Sequence, residues 1–170
     1  MKGELKGESA LWPSLWPLPQ IIVSIRDKEG RNNAMVVGYA ANVSHHPAMV
    51  MVGIEPSRFS HHMVKENGCF VVNLPLKSFR KEFGYIGSKS GRDDDKFATL
   101  DLKWEEGKRV NAPILTDCPV DIECNVLDSI MPGSNELFIG KVEAVHVNEE
   151  YLDRNGNILW SKMDLIKLGV

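Results

Sequence analysis

The sequence predicts a mainly β fold, a closed or nearly closed antiparallel barrel, Greek-key-like, with short helices between strands. Three observations lead there. Many short apolar runs rich in β-branched residues are separated by turn residues. Only two brief stretches carry the apolar spacing of a helix. The alternating strand–helix rhythm of a doubly wound sheet is missing, and so is a GxGxxG fingerprint, which argues against a Rossmann nucleotide site.

Residues 20–26 form the first predicted strand, bounded by Pro19 and by the turn Asp27-Lys28-Glu29-Gly30. Residues 33–41, rich in small side chains, form the second, and the two make a hairpin. The apolar run 49–54 reads as a buried strand that Pro56 ends. Ser57 is the expected N-cap of a helix reaching about Asn67, with Phe59 and Met63 on its core face and Gly68 at its C′ stop. Residues 69–74 are another strand, closed by Pro75. A second short helix is expected over 78–86, with Phe79 and Phe83 on one face, then a polar loop over 87–95. Strands follow at 120–127 and 137–147, and residues 151–159 read as a hairpin turning at Asn155-Gly156.

The 170 residues suit a single domain, 1–170, with residues 1–19 as an extended arm. A chain of this size buries roughly 70% of its unfolded surface and needs no disulfide or metal to fold. Composition is ordinary, 43% hydrophobic and 25% charged, and this argues against disorder. The net charge of −3, with Lys and Arg scattered, argues against nucleic acid as a partner. Cys69, Cys118 and Cys124 are too few for a disulfide framework, and their odd number without a secretory signal fits a cytoplasmic protein. No apolar run of about 18 residues is present, so no membrane span is expected. In the arm, Leu11-Trp12-Pro13-Ser14-Leu15-Trp16-Pro17-Leu18-Pro19 carries three prolines that forbid a regular helix and two tryptophans with large apolar area. It packs either on its own domain or on a second subunit.

The richest chemistry lies between Arg31 and Ser60. Here a small-residue strand, a polar segment Ser44-His45-His46-Pro47, a buried strand and the helix start Ser57-Arg58-Phe59-Ser60 follow in close order. Together they can hold a flat ring by its edge and a phosphate by its charge. A helix start offers free N–H groups to an anion, but the dipole contributes only about 0.3–1 kcal/mol at an exposed site. A charge-assisted arginine contact is stronger, so Arg58 outweighs the helix itself. The alternative is a capped helix carrying a surface arginine. The loop Gly87-Ser88-Lys89-Ser90-Gly91-Arg92-Asp93-Asp94-Asp95-Lys96 fails the P-loop spacing and lacks the glycine and distal glutamate of a calcium loop. Its hydroxyls and cations can close over a phosphate or a nicotinamide nucleotide, or simply be solvated. The adjacent pairs His45-His46 and His61-His62 point in different directions and do not match a metal-site spacing. Cys118 and Cys124, six apart, read as buried residues rather than a redox pair. No catalytic nucleophile or general base stands out, so if the chain is an enzyme the hard chemistry belongs to a bound cofactor.

These pieces, in this order, resemble the flavin reductase-like, FMN-binding split-barrel family, and within it the flavoredoxin branch. The match runs from about Pro19 to Val147. It includes Asn32-Asn33-Ala34-Met35-Val36-Val37, Ser44-His45-His46-Pro47, Ser57-Arg58-Phe59-Ser60-His61, Asn67-Gly68-Cys69-Phe70-Val71-Val72-Asn73-Leu74-Pro75 and Ser90-Gly91-Arg92-Asp93-Asp94-Asp95-Lys96-Phe97. The resemblance implies a split barrel, a homodimer and FMN near the dimer interface. It implies that Asn33, Ala34, Met35, Val36, Val37, Gly38 and Tyr39 lie along the flavin ring, with Ser44 and His45 close by. It implies too that Ser57, Arg58 and Ser60 hold the phosphate and that Ser88, Lys89, Ser90 and Lys96 lie beside it. Relatives often carry threonine or serine where this chain has Val36-Val37-Gly38, which leaves backbone N–H groups to meet the ring. The implied activity is electron transfer from NAD(P)H through FMN to an acceptor. The alternative is a flavoredoxin-type carrier holding FMN tightly and served by a protein redox partner.

Overall fold

The computed structural model describes residue 15 and residues 18–168; the other residues of the predicted arm lie outside the described residues. Where the arm meets the domain, β1 (Leu18–Pro19) pairs antiparallel with β11 (Lys167–Leu168). That end of the arm therefore lies on its own domain.

β2 (Ile21–Arg26) and β3 (Asn32–Val37) form the expected hairpin, with Ile21 opposite Val37 and Arg26 opposite Asn32. Gly30 closes its turn at φ 87°, a left-handed conformation that glycine adopts without Cβ strain. The strand expected over 33–41 is two strands. β3 ends at Val37, and β4 (Ala40–His45) begins after Gly38 and Tyr39. β4 turns into β5 (Ala48–Ile54) at His46-Pro47, so Ser44 and His45 belong to a strand rather than to a loop. α1 (Phe59–Asn67) follows, then β6 (Cys69–Leu74). Arg58, not Ser57, is the N-cap of α1, and no side chain caps it. Gly68 ends the helix at φ 71°, as expected. After a 3₁₀ turn over Lys77–Phe79, α2 (Arg80–Ser88) takes Gly87 and Ser88 out of the predicted loop.

Three elements were too short for periodicity to reveal them. These are α3 (Lys96–Thr99), whose N-cap Asp95 accepts from the N–H groups of Phe97 and Ala98, and the hairpin β7 (Trp104–Glu106) and β8 (Pro113–Leu115). β9 (Val120–Ile130) and β10 (Glu136–Val147) are longer than expected and pair along nearly their whole length. The tail hairpin is reduced to one bridge, Leu152 to Ile158, around Gly156 at φ 80°.

The main sheet runs in the order β3-β2-β6-β9-β10-β5-β4. Its two outermost strands, β3 and β4, are consecutive in the chain. Laid flat, the sheet would separate them by six strand spacings, about 28 Å. The two-residue link Gly38–Tyr39 reaches about 11 Å at most. The sheet must therefore curl until its edges meet at that link, which is why it is a barrel with a seam. The Tyr39 carbonyl accepts from the Gly53 N–H at 2.8 Å and ties the seam to β5.

The barrel interior holds Ile21, Val23, Ile25, Val50, Val52, Ile54, Phe70 and Phe138, and α1 adds Met63 and Val64. The outer face of β2 and β3 is also covered: Ile22 and Ala34 pack with Ile86, Phe97, Leu102 and Leu115. Burial on both faces explains why residues 21–23 are uninterrupted apolar residues rather than an alternation. Cys69, Cys118 and Cys124 are free and buried, and burial pushes the Cys124 thiol up to about 12.

Candidate functional site

A cavity of about 610 Å³ opens where the seam meets the helices. Met35, Val36, Val37, Gly38 and Tyr39 form one wall, with Gly53 and Ile54 of β5 beside them. The start of α1, the end of α2 and the loop after it form the rest.

The β3 wall presents backbone as well as side chains. β3 is an edge strand that pairs only with β2, so half its N–H and C=O groups point away from the sheet. The Ala34 carbonyl is one of these, because it accepts from Lys96 Nζ at 2.7 Å. Strand alternation directs the backbone groups of Val36 the same way. A planar ligand at this wall meets amide donors and carbonyl acceptors without any side-chain hydroxyl.

The other end is polar and cationic. Ser57, Arg58, Ser60, Ser88, Lys89, Ser90 and Arg92 line it. Arg58 has its side chain 65% exposed and lies 3.5 Å from Glu55, itself partly exposed. Such a surface pair contributes little, so the guanidinium remains available to a stronger anion. Ser60 is buried, and its Oγ accepts from Asn33 Nδ2 at 2.8 Å.

Lys96 lies between the two ends with 3% exposure. Its Nζ donates to the carbonyls of Ala34 and of Ile86, at 2.7 and 3.0 Å. This joins α2 and α3 to β3. Burial pulls its ammonium down to about 8, and the charge of nearby Asp94 offsets part of that. A buried cation hydrogen-bonded to two carbonyls, with Asp94 nearby, lends positive charge to the cavity it lines.

Most residues expected to hold a cofactor therefore meet in one cavity: residues 35–39, Ser57, Arg58, Ser60, Ser88, Lys89, Ser90 and Lys96. Four do not line it. Asn33 and Ala34 stand behind it, one bonded to Ser60 and the other packed under α2 and α3. Ser44 and His45 lie in β4 beside a separate groove with Met49 and Val142. The break at Gly38–Tyr39 carries β4 away from the wall, and an unbroken strand over 33–41 hid that. Glu55, Phe59, Arg92 and Asn135 also line the cavity without having been expected there. Arg92 was legible as a cation in the loop. Asn135 was not, because only the sheet order brings the β9–β10 connection to this place.

The second histidine pair has structural partners. His61 is buried, with Nε2 2.6 Å from Glu136 Oε2, and exposed His62 packs edge-on against Phe59. Among the described residues no group of three or more His, Cys, Asp or Glu could hold a metal. No described helix is long and apolar enough to cross a membrane.

Residues 14–163 match the flavin reductase like domain family. A protein of Archaeoglobus fulgidus is 31% identical over 145 residues, which cover 85% of this chain and 80% of that protein. An NADH:riboflavin 5'-phosphate oxidoreductase of Streptomyces pristinaespiralis is 24% identical and covers 86% of this chain and 78% of its own length. The chain spans half the length of a high molecular weight rubredoxin of Moorella thermoacetica, at 27% identity over 68% of this chain. Among solved structures, the flavoredoxin of Methanosarcina acetivorans superposes with a TM-score of 0.89 at 28% identity, covering 99% of this chain and 88% of its own. The flavoredoxin of Desulfovibrio vulgaris (Miyazaki F) gives 0.86 at 25%, covering 100% and 94%. With its barrel, its seam and its family match, the chain is a member of the flavin reductase like domain family and carries the split-barrel fold.

Proposed function

We propose that this protein binds FMN and moves electrons from NAD(P)H through it to an acceptor. The observation that carries this reading is the polarity of the cavity at the seam. A backbone-rich apolar wall at one end suits the edge of a flat heterocycle, and hydroxyls with Arg58 at the other suit a phosphate. The residues present fit that ligand: Met35 to Tyr39 would lie along the ring, and Ser57, Arg58 and Ser60 would hold the phosphate. Ser88, Lys89 and Ser90 would close over it. When bound, the flavin supplies the hydride and electron chemistry, and the protein supplies position and electrostatics. Lys96 places a positive charge between ring wall and phosphate end, a location that favours negative charge on a bound ligand. A flavin-type relative named for NADH and an FMN-binding protein of Thermus thermophilus, 26% identical with a TM-score of 0.78, support the choice of cofactor and donor.

The site is completed by a second copy of the chain. On the outward side of the sheet Met51 stands opposite Ile139 and Leu137 opposite Ile130. Ile130 and Met131 are more than half exposed. This apolar face runs into the cavity at Gly53, Tyr39 and Asn135, and a homodimer would bury it and wall the ring site. A cytoplasmic location agrees with three free, buried thiols.

A second reading has its own support. Two flavoredoxins are close in fold and cover nearly the whole chain, and one relative half matched by it is named a rubredoxin. In that reading FMN stays bound and a protein redox partner delivers or removes the electrons. One experiment separates the two. The purified protein is checked for flavin absorbance and mixed anaerobically with NADH or NADPH. Rapid bleaching by either nucleotide supports the reductase; a yellow protein that neither nucleotide bleaches supports the carrier. A protein that is colourless and binds no added FMN overturns both.

A further inference from the structure

We propose that Gly91, Asn33 and Phe59 form a junction that sets the spacing between the two halves of the anion-binding end, and that this spacing gives the site its preference for FMN over riboflavin. The proposal rests on reading that end as a phosphate site. One half is the start of α1, Ser57 to Ser60. The other is the end of α2 with its loop, Ser88 to Ser90. About thirty residues separate them in the chain, so something other than sequence proximity must hold them in register.

The junction does this by contact. Asn33 is buried, and its Nδ2 donates to Ser60 Oγ at 2.8 Å. Its Oδ1 lies against Gly91 so closely that a Cβ built there would sit 2.7 Å from it and 2.6 Å from Phe59 Cδ1. Only glycine lets the loop lie flat on Phe59 and Asn33. Two arginines clamp the same place. The Arg31 guanidinium donates from Nη2 to the Gly91 carbonyl, and Arg92 Nη2 donates to the Ser57 carbonyl at 3.0 Å. Both guanidiniums flank the Phe59 ring, with centroid distances of 5.2 and 5.9 Å. Arg31 and Arg92 are thus positioning residues: each ties one half of the end to the other, which leaves Arg58 and Lys89 as lining cations outside this clamp.

The test is Gly91→Ala, which changes no charge and whose new methyl group points into the junction rather than the cavity. Dissociation constants for FMN and riboflavin are measured by titrating the flavin-free protein. FMN should weaken about tenfold, the equivalent of one charge-assisted hydrogen bond, while riboflavin changes by less than about threefold. Phe59→Leu, which removes the ring without adding a clash, should lower the same ratio and decides the matter if Gly91→Ala does not fold. An unchanged FMN-to-riboflavin ratio in a folded variant overturns the junction. A wild-type protein that binds both flavins equally overturns the phosphate reading itself, before any variant is made.

Discussion

Lys96 reaches across to β3 to place its Nζ 2.7 Å from the Ala34 carbonyl, so a buried ammonium stands against the β3 wall of the cavity. Burial lowers its affinity for the proton to about 8, against 10.5 for an ordinary lysine. Between those two values the unfolded chain binds more protons at this position than the folded one. The Lys96 contribution to stability therefore rises as pH rises from 8 to 10.5. Urea unfolding of the flavin-free protein and of Lys96→Met should show a difference that grows in the wild type's favour over that window; parallel curves contradict a buried charged lysine.

Arg58 makes a prediction of a different kind. Among the described residues its ion pair is with Glu55, long and exposed. Arg58→Ala should leave the melting temperature nearly unchanged. It should weaken FMN binding by about tenfold or more, with a much smaller effect on riboflavin, which lacks the phosphate. Equal losses for both ligands remove Arg58 from the phosphate site.

The outward apolar face predicts association. Ile130 is 54% exposed at its edge. Ile130→Asp should convert the proposed dimer to a monomer in sedimentation velocity, and FMN affinity should fall with it, because the proposed ring site shares that face. A wild-type monomer that binds FMN at full affinity refutes the shared interface.

Acid should find a specific weak point in the pair His61–Glu136. Glu136 accepts from Ser129 Oγ at 2.6 Å, from Lys65 Nζ at 3.1 Å and pairs with His61 Nε2 at 2.6 Å. The Ser129 hydroxyl first, then Lys65 and His61, hold its carboxyl down at about 2, against 4.5 when unperturbed. A depressed carboxyl contributes stability that is present above 4.5 and lost as pH falls toward 2. Glu136→Gln should flatten the stability profile over that interval in urea titrations at successive pH values.

Gly140 tests the barrel packing. A Cβ there would lie 2.6 Å from Phe70 Cζ and 2.9 Å from Cys124 Cβ, all within the core. Gly140→Ala should destabilise the fold by about 1–3 kcal/mol through overpacking, read as a lower urea midpoint. No loss at all argues against this approach of β10 to Phe70.

Local chemistry made much of this protein legible in its sequence. The strands at 21–26 and 69–74 announce themselves through β-branched runs between Pro, Gly and polar turns, and Gly68 marks the end of α1 because only a left-handed residue fits there. Ser57, Arg58 and Ser60 lie close enough in sequence that a helix start must bring them together. What sequence order could not determine is anything that depends on long-range closure. The break at Gly38–Tyr39 is set by the curl of the whole sheet, not by its own residues, and it decides that Met35 to Val37 face the cavity while Ser44 and His45 do not. Likewise Asn33 and Gly91, fifty-eight positions apart, meet only because the loop after α2 folds back onto β3. Periodicity reports which face of an element is buried; only the assembled barrel decides which buried faces meet.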